Sequence, residues 1–345
     1  MTFAGSTTDM SVNRRFILAA RPQGLPRPSD FRLTDEPIPA IGEGEFLIRN
    51  HYASIDPAIR GWLDAGGNYM PPVPIGDAVR ASTVGVVQES RCDAFQTGDW
   101  VMGLNKIETH SVGRADGFTH AIDVSAVSSP TAYLSVAGAV GLTAWFGVED
   151  ILRPGPDDTL LVSGAAGAVG SLVGQLAKMR GTRVVGIAGS PAKCAKLTDR
   201  YGFDAAIDYR GKDVATLAAD IAAACPRGVN FVYENVGGVC LDAALLNLAD
   251  GAQVLLCGLI SEYNREPVGA RHLWQLIVKT ATMRGYLVSQ YVHRFPEGVR
   301  AMASLAAQGK LRYEEHVEEG IDNALHAFLR LFEGTNEGKM ILKLI

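Results

Sequence analysis

The clearest chemistry lies in SGAAGAVGSLVGQLAK (163–178). Gly164, Gly167 and Gly170 follow a short apolar stretch, TLLVSG (159–164). They open a segment that places Val169, Leu172, Val173, Leu176 and Met179 on one helical face. Glycines let a backbone turn tightly and approach a pyrophosphate, whose charge then meets the free N–H groups of a helix N-terminus. The string alone is a weak signal. A strand before it, an amphipathic helix after it and a second strand, RVVGIAG (183–189), make it a dinucleotide-binding turn. A site for NAD places Asp or Glu about 20 residues beyond the glycines, to hold a ribose hydroxyl. Here AGSPAKCAK puts Gly189 and Ser190 at that point, with Lys193 just inside the next helix. An acid would repel a 2′-phosphate, whereas a hydroxyl and an ammonium accept one, so this reading favours NADPH. The competing reading makes Lys193 an ordinary solvated helix residue.

Other reactive side chains are scattered. The five cysteines (92, 194, 225, 240 and 257) contain no C-x-x-C pair, and the seven histidines have no metal-ligand spacing. No metal site is expected. His51 and His120 could line a cleft, or serve as structural or surface residues. Trp62, Trp145, Tyr52 and Tyr291 are read as packing residues before pocket walls. Cys257 is read as a small buried side chain, because no base can be placed beside it.

The elements that must hold these groups change character along the chain. From 14 to about 125, FLIRNHYASI (46–55), STVGVVQES (82–90) and DWVMGL (99–104) stand between turn clusters, which predicts an antiparallel, barrel-like β domain. From about 130, strands alternate with helices at 169–180, 191–201, 213–224 and 239–249. The intervening strands are 159–164, 183–189, 205–208, 231–237 and 253–258, the rhythm of a parallel α/β sheet. A strand in YEEHVEE, a helix over 321–333 and a strand over 339–345 return to the first domain. There are 37 acidic against 32 basic residues and no basic block, which argues against nucleic acid or an anionic membrane as a partner. No apolar run approaches the ~18 residues of a membrane span. The opening MTFAGSTTDMSV has neither the basic start nor the apolar stretch of a secretory leader, so a flexible tail over 1–13 and a cytoplasmic enzyme are expected.

The ordered motifs SIDPAIRGW (54–62), GDWVMG (98–103), VGLTAWFGV (140–148), AAGAVGSLVGQLAK (165–178), GFDAAIDY (202–209), YENVGG (233–238), CGLISEYN (257–264), MRGYLV (283–288) and EGKMILKL (337–344) span nearly the whole chain. Together they resemble the zinc-free branch of the medium-chain dehydrogenase/reductase superfamily, which includes prostaglandin, alkenal double-bond and curcumin reductases. The resemblance implies an α/β fold in which a doubly wound Rossmann sheet (129–306) is inserted in a GroES-like β-barrel domain (14–128 and 307–345), with the cofactor in the cleft between them. Zinc-containing relatives carry G-H-E-x-x-G-x-V. Aligned on Gly85, this chain has Arg80, Ala81 and Ser82 there, and Ala53-Ser54-Ile55-Asp56 where a cysteine ligand would stand.

The resemblance also implies residue roles. Gly164, Ala166, Gly167, Val169 and Gly170 would surround the pyrophosphate. Lys193 and Tyr209, with Ser190 as a neighbour, would hold the 2′-phosphate. Asn235 would lie at the ribose and phosphate edge, and Cys257, Leu259 and Ser261 beside the nicotinamide. Asn336 would reach back from the C-terminal segment. Tyr263, in S-x-Y-N, would be catalytic, donating to a substrate carbonyl. The implied activity is hydride transfer from NADPH to the β-carbon of an α,β-unsaturated aldehyde or ketone without a metal. An NADPH-dependent quinone oxidoreductase and a non-catalytic NADPH-binding protein are the alternatives. The branch reads D-P-Y-M-R-G where this chain has Ala58 in place of tyrosine, and NREPVGARHLWQL (264–276) keeps a single proline, Pro267; both alter the substrate side. A homodimer is expected through the sheet edge near Thr282–Val288.

Overall fold

The computed structural model describes residues 12–66 and 68–345. Most of the expected N-terminal tail (1–13) lies outside the described residues. Val12 and Asn13 do not: they open the first strand, β1 (Val12–Leu18), which pairs antiparallel with β2 (Phe31–Pro37). Asn13 is only 4% exposed, and its Oδ1 accepts the His110 amide at 2.9 Å, so both residues belong to the folded unit.

Next come β3 (Glu45–Ser54), the short helix α1 (Ile59–Trp62), β4 (Arg80–Ser90), β5 (Trp100–Lys106), β6 (His110–Arg114) and β7 (His120–Ala121). They form an antiparallel sheet in which β3 pairs with β4 and β6, and β5 pairs with β4 and β7. One core lies under Phe46, Ile48, Val87, Phe95 and Val101. A larger one includes Phe16, Ile55, Trp62 and Phe328. Trp62 is therefore a packing residue.

The alternating region follows: α2 (Ala139–Phe146), β8 (Thr159–Val162), α3 (Ala168–Met179), β9 (Arg183–Ala188), α4 (Pro191–Tyr201), β10 (Ala205–Asp208), α5 (Val214–Ala224), β11 (Val229–Glu234), α6 (Gly238–Leu245), β12 (Leu248–Leu256), α7 (Trp274–Val278), β13 (Thr282–Gly285) and α8 (Phe295–Ala307). The six strands are all parallel and lie in the order β10-β9-β8-β11-β12-β13. The order reverses between β8 and β11, and open α/β sheets bind ligands at the carboxyl ends of the strands flanking such a reversal.

Two boundaries depart from the sequence reading. The helix expected over 239–249 stops at Leu245, because the Val229 amide bonds to Asn247 O at 2.9 Å and draws the chain into β12 early. The strand expected over 231–237 ends at Glu234, because the amides of Asn235, Val236 and Gly237 turn to side-chain acceptors.

The chain closes with β14 (Glu315–Glu319), α9 (Ala324–Glu333) and β15 (Lys339–Lys343), and β15 pairs antiparallel with β3. The chain divides into two compact units. One holds the described residues through Leu134 with His316–Glu333 and Met340–Ile345; the other holds Ser135–Glu315 with Gly334–Lys339. The second unit runs on through Glu315 and takes up Gly334–Lys339. Leu311 is 3% exposed, and the Gln175 side chain both accepts from Arg312 N and donates to Arg312 O at 2.8 Å. No helix among the described residues is long and apolar enough to cross a membrane.

Candidate active site

At the strand-order reversal, β8 and β11 are clamped together. Ser163 Oγ donates to Glu234 Oε1 at 2.6 Å and accepts the Asn235 amide at 2.8 Å. Asn235 Nδ2 donates back to Ser163 O at 2.7 Å. Glu234 Oε1 also accepts the amides of Val236 and Gly237, both at 2.7 Å. Burial holds this carboxyl above the usual range against the pull of those hydrogen bonds. Asn235 is consequently held by Ser163, and Glu234, which the sequence reading passed over, fixes the Ser163 hydroxyl and the turn that follows. The signal was there: an acid between an apolar strand and Asn-Val-Gly-Gly.

Gly164 leaves the strand with φ +58, in the left-handed region. Gly170 is demanded by close approach: a Cβ there would stand 2.5 Å from Gly164 O and 2.8 Å from Ala165 Cα. Gly167 precedes α3, and no side chain caps that helix. The first amides of the helix therefore keep donors for an anion, reinforced by the helix dipole. Ala166, Gly167 and Val169 are half-buried, so their backbone is approachable.

Three cations gather where β9 and β10 end. Ser190 caps α4, its Oγ accepting the Lys193 amide at 3.2 Å, with Pro191 in the first turn. Tyr209 lies over Gly189: a Cβ on that glycine would sit 3.3 Å from Tyr209 Cε1 and 3.8 Å from Arg210 Nη2. Lys193 Nζ donates to Gly334 O at 2.7 Å. Burial lowers its pKa, and the neighbouring charges of Lys196 and Arg210 lower it further. Lys196 is neutralised by Glu314 at 2.8 Å and Glu337 at 3.0 Å. The segment Gly334–Lys339 thus crosses this corner as a strap, with Gly338 bridged to Gly167. Asn336 lies within the strap, its Nδ2 donating to Gly338 O at 2.9 Å. Arg210 was missed by the sequence reading; its only cue was a basic residue directly after Tyr209.

Beyond β12 the loop hangs on the β11 turn. Cys257 and Gly258 donate to Glu234 O at 2.9 and 3.1 Å, Ile260 to Asn235 O at 3.2 Å and Ser261 to Val236 O at 2.9 Å. Burial pushes the Cys257 thiol up to about 11, which keeps it protonated and poorly nucleophilic. Leu259 packs at Gly237, where a Cβ would meet its Cδ2 at 3.1 Å. Ser261 Oγ is buried with no described partner. The Leu259 amide donates to Tyr263 OH at 3.2 Å. With its oxygen held, the phenol has its own proton left to donate, and burial keeps it protonated by raising its pKa.

Of the remaining candidates, Tyr291 stacks on Phe146 at 4.5 Å, and His51 stands 5.1 Å from Trp100. Among the described residues, no group of three or more His, Cys, Asp or Glu could hold a metal ion.

Residues 14–121 match a family described as the N-terminal domain of oxidoreductase, and residues 168–304 one described as zinc-binding dehydrogenase. An NADPH-dependent curcumin reductase from Escherichia coli is 38% identical over 96% of this chain and 96% of its own length. An NADP-dependent 2-alkenal reductase from Nicotiana tabacum is 35% identical over 96% of this chain and 97% of its own. The crystal structure of CurA from Vibrio vulnificus in complex with NADPH superposes with a TM-score of 0.90 at 39% identity, covering 96% of this chain and 99% of that one. The chain belongs to the medium-chain dehydrogenase/reductase superfamily, in the zinc-free branch of the curcumin, alkenal and prostaglandin reductases.

Proposed function

We propose that this chain is an NADPH-dependent reductase of carbon–carbon double bonds conjugated to an aldehyde or ketone, working without a metal ion. The residues at the strand ends fit the dinucleotide. Gly170 lets the start of α3 close onto the Gly164 turn, α3 begins uncapped, and Gly189 and Ser190 stand where an acid would repel a 2′-phosphate. Gly164, Ala166, Gly167, Val169 and Gly170 would hold the pyrophosphate. Ser190, Lys193 and Tyr209 would hold the 2′-phosphate, and Asn235 and Asn336 the edges between. Cys257, Leu259 and Ser261 offer the wall for the nicotinamide. When bound, the reduced dinucleotide supplies a hydride, which a conjugated β-carbon accepts without Lewis-acid help.

The observation that carries the reaction class is the phenol of Tyr263, oriented by the Leu259 amide and held neutral by burial. As electron density moves through the conjugated system, charge builds on the carbonyl oxygen of the substrate. A preorganised O–H aimed at that oxygen stabilises it far more in a dry site than in water. The same hydroxyl, or water, then delivers a proton to the α-carbon. NADPH oxidation followed against alkenals, alkenones, aromatic enones and quinones, and repeated with NADH, tests this reading. Enone turnover with NADPH supports it. Turnover confined to quinones would overturn it.

We also propose a homodimer across the open edge at β13. Among the described residues that strand pairs only with β12, and the neighbouring α7 exposes Trp274 at 68% and Ile277 at 66%. Sedimentation as a stable monomer would remove this part of the reading.

A further inference from the structure

Of the cations at the ends of β9 and β10, two form no ion pair among the described residues. Lys196 is satisfied by Glu314 and Glu337. The Lys193 ammonium donates to a backbone oxygen, Gly334 O, with Glu337 near enough to favour its charge. Among the described residues Arg210 forms no ion pair: its amide donates to Asp208 Oδ1 at 3.0 Å, and its exposed guanidinium turns back toward Gly189. That places it beside Tyr209 and close enough to Lys193 to disfavour the lysine's charge. Holding two like charges together costs free energy, eased at Lys193 by the nearby Glu337 carboxylate, and an anion arriving between them relieves it further.

We propose that Arg210 is a specificity-determining residue that selects the phosphorylated dinucleotide through its 2′-phosphate. This inference rests on the NADPH reading above and adds a residue that the reading did not contain. A guanidinium presents a planar fork of donors that matches phosphate oxygens, whereas Lys193 spends one of its three donors on the strap. The two cations thus divide the work. Lys193 links the phosphate to Gly334–Lys339, and Arg210 contributes charge and geometry from the opposite side of Gly189. The missing Cβ of Gly189 leaves room beneath Tyr209 for the sugar that carries the phosphate.

The test is equilibrium binding of NADPH, NADH, 2′,5′-ADP and 5′-AMP to the full chain and to its Arg210→Gln and Arg210→Lys variants, at low and high salt. Losing one charge-assisted contact is worth about tenfold to a hundredfold in affinity. Arg210→Gln is expected to lose that much for NADPH and 2′,5′-ADP, to keep its affinity for NADH and 5′-AMP, and to show a weaker salt dependence. Arg210→Lys is expected to recover part of the loss. Equal weakening of phosphorylated and unphosphorylated ligands would overturn the proposal, because it would mark a merely structural arginine. So would an unchanged NADPH affinity in Arg210→Gln. If the unaltered chain bound NADPH and NADH equally, the NADPH reading itself would fall with it.

Discussion

On the β8–β9–β10 side of the sheet, the proposed recognition rests on backbone and on two cations outside any ion pair among the described residues. Glycines bring chain to chain, α3 offers uncapped amides, and Lys193 and Arg210 wait beside Gly189. On the β11–β12 side the polar groups are buried and largely answered from within: Glu234 by Ser163 and two amides, Tyr263 by Leu259. The first side is suited to a permanent charge that arrives with the ligand. The second is suited to a charge that appears only during reaction, because groups already fixed in place need no reorganisation when it develops. In the proposed reading, the strand-order reversal between β8 and β11 divides the phosphate contacts from the reacting end.

The sharpest way to break this contrast is Tyr263→Phe. Turnover of enones is expected to fall about 10²- to 10³-fold, the usual cost of one lost oxyanion donor. NADPH affinity, read by fluorescence titration, is expected to stay unchanged. Wild-type turnover in the variant would mean that the reacting side holds no donor at this position.

The opposite pattern is expected of Gly170→Ala. Its Cβ would meet Gly164 O at 2.5 Å, so backbone must shift. Denaturant unfolding should show a loss of about 1–3 kcal/mol, and dinucleotide affinity should fall with it. Ser190→Ala is a milder probe of the same side. It removes the cap of α4 and should cost about 1 kcal/mol, with a comparable small loss in NADPH affinity. A variant as stable as the parent would show that the cap contributes nothing.

The smallest expected effect is in pH. Burial, with Lys196 and Arg210, sets the Lys193 pKa below the ordinary lysine value. Below that folded-state pKa the buried ammonium costs stability. Between it and the unfolded value the unfolded chain binds the extra proton, so this group's contribution to stability rises with pH. Over the same alkaline window NADPH affinity should decline while NADH affinity holds, and Lys193→Gln should abolish the difference. A constant affinity ratio across the window would remove the ammonium from phosphate recognition.

Much of this was legible locally. The 3.6-residue spacing in 169–180 and the short apolar runs before and after it predict the βαβ unit that appears as β8, α3 and β9. The helix over 191–201 and the strand over 205–208 are found with those bounds. The missing acid at Gly189 and Ser190 was visible as well. Misses came where long-range pairing overrides local preference. Val12 and Asn13 looked like tail but pair with Pro37 and Glu36. Arg210 drew no reading from the sequence, and only the fold sets its guanidinium beside Gly189.

Periodicity, glycine spacing and the absence of a carboxylate are properties of neighbouring residues, so the amino-acid order alone determined the parallel sheet, the phosphate turn and the preference implied for its ligand. The clamp between Ser163 and Glu234 joins positions 71 apart. The tie from Lys193 to Gly334 spans 141. Only the folded chain decides such contacts, because which distant donor meets which acceptor depends on where the backbone returns, and burial then makes each unmet partner costly.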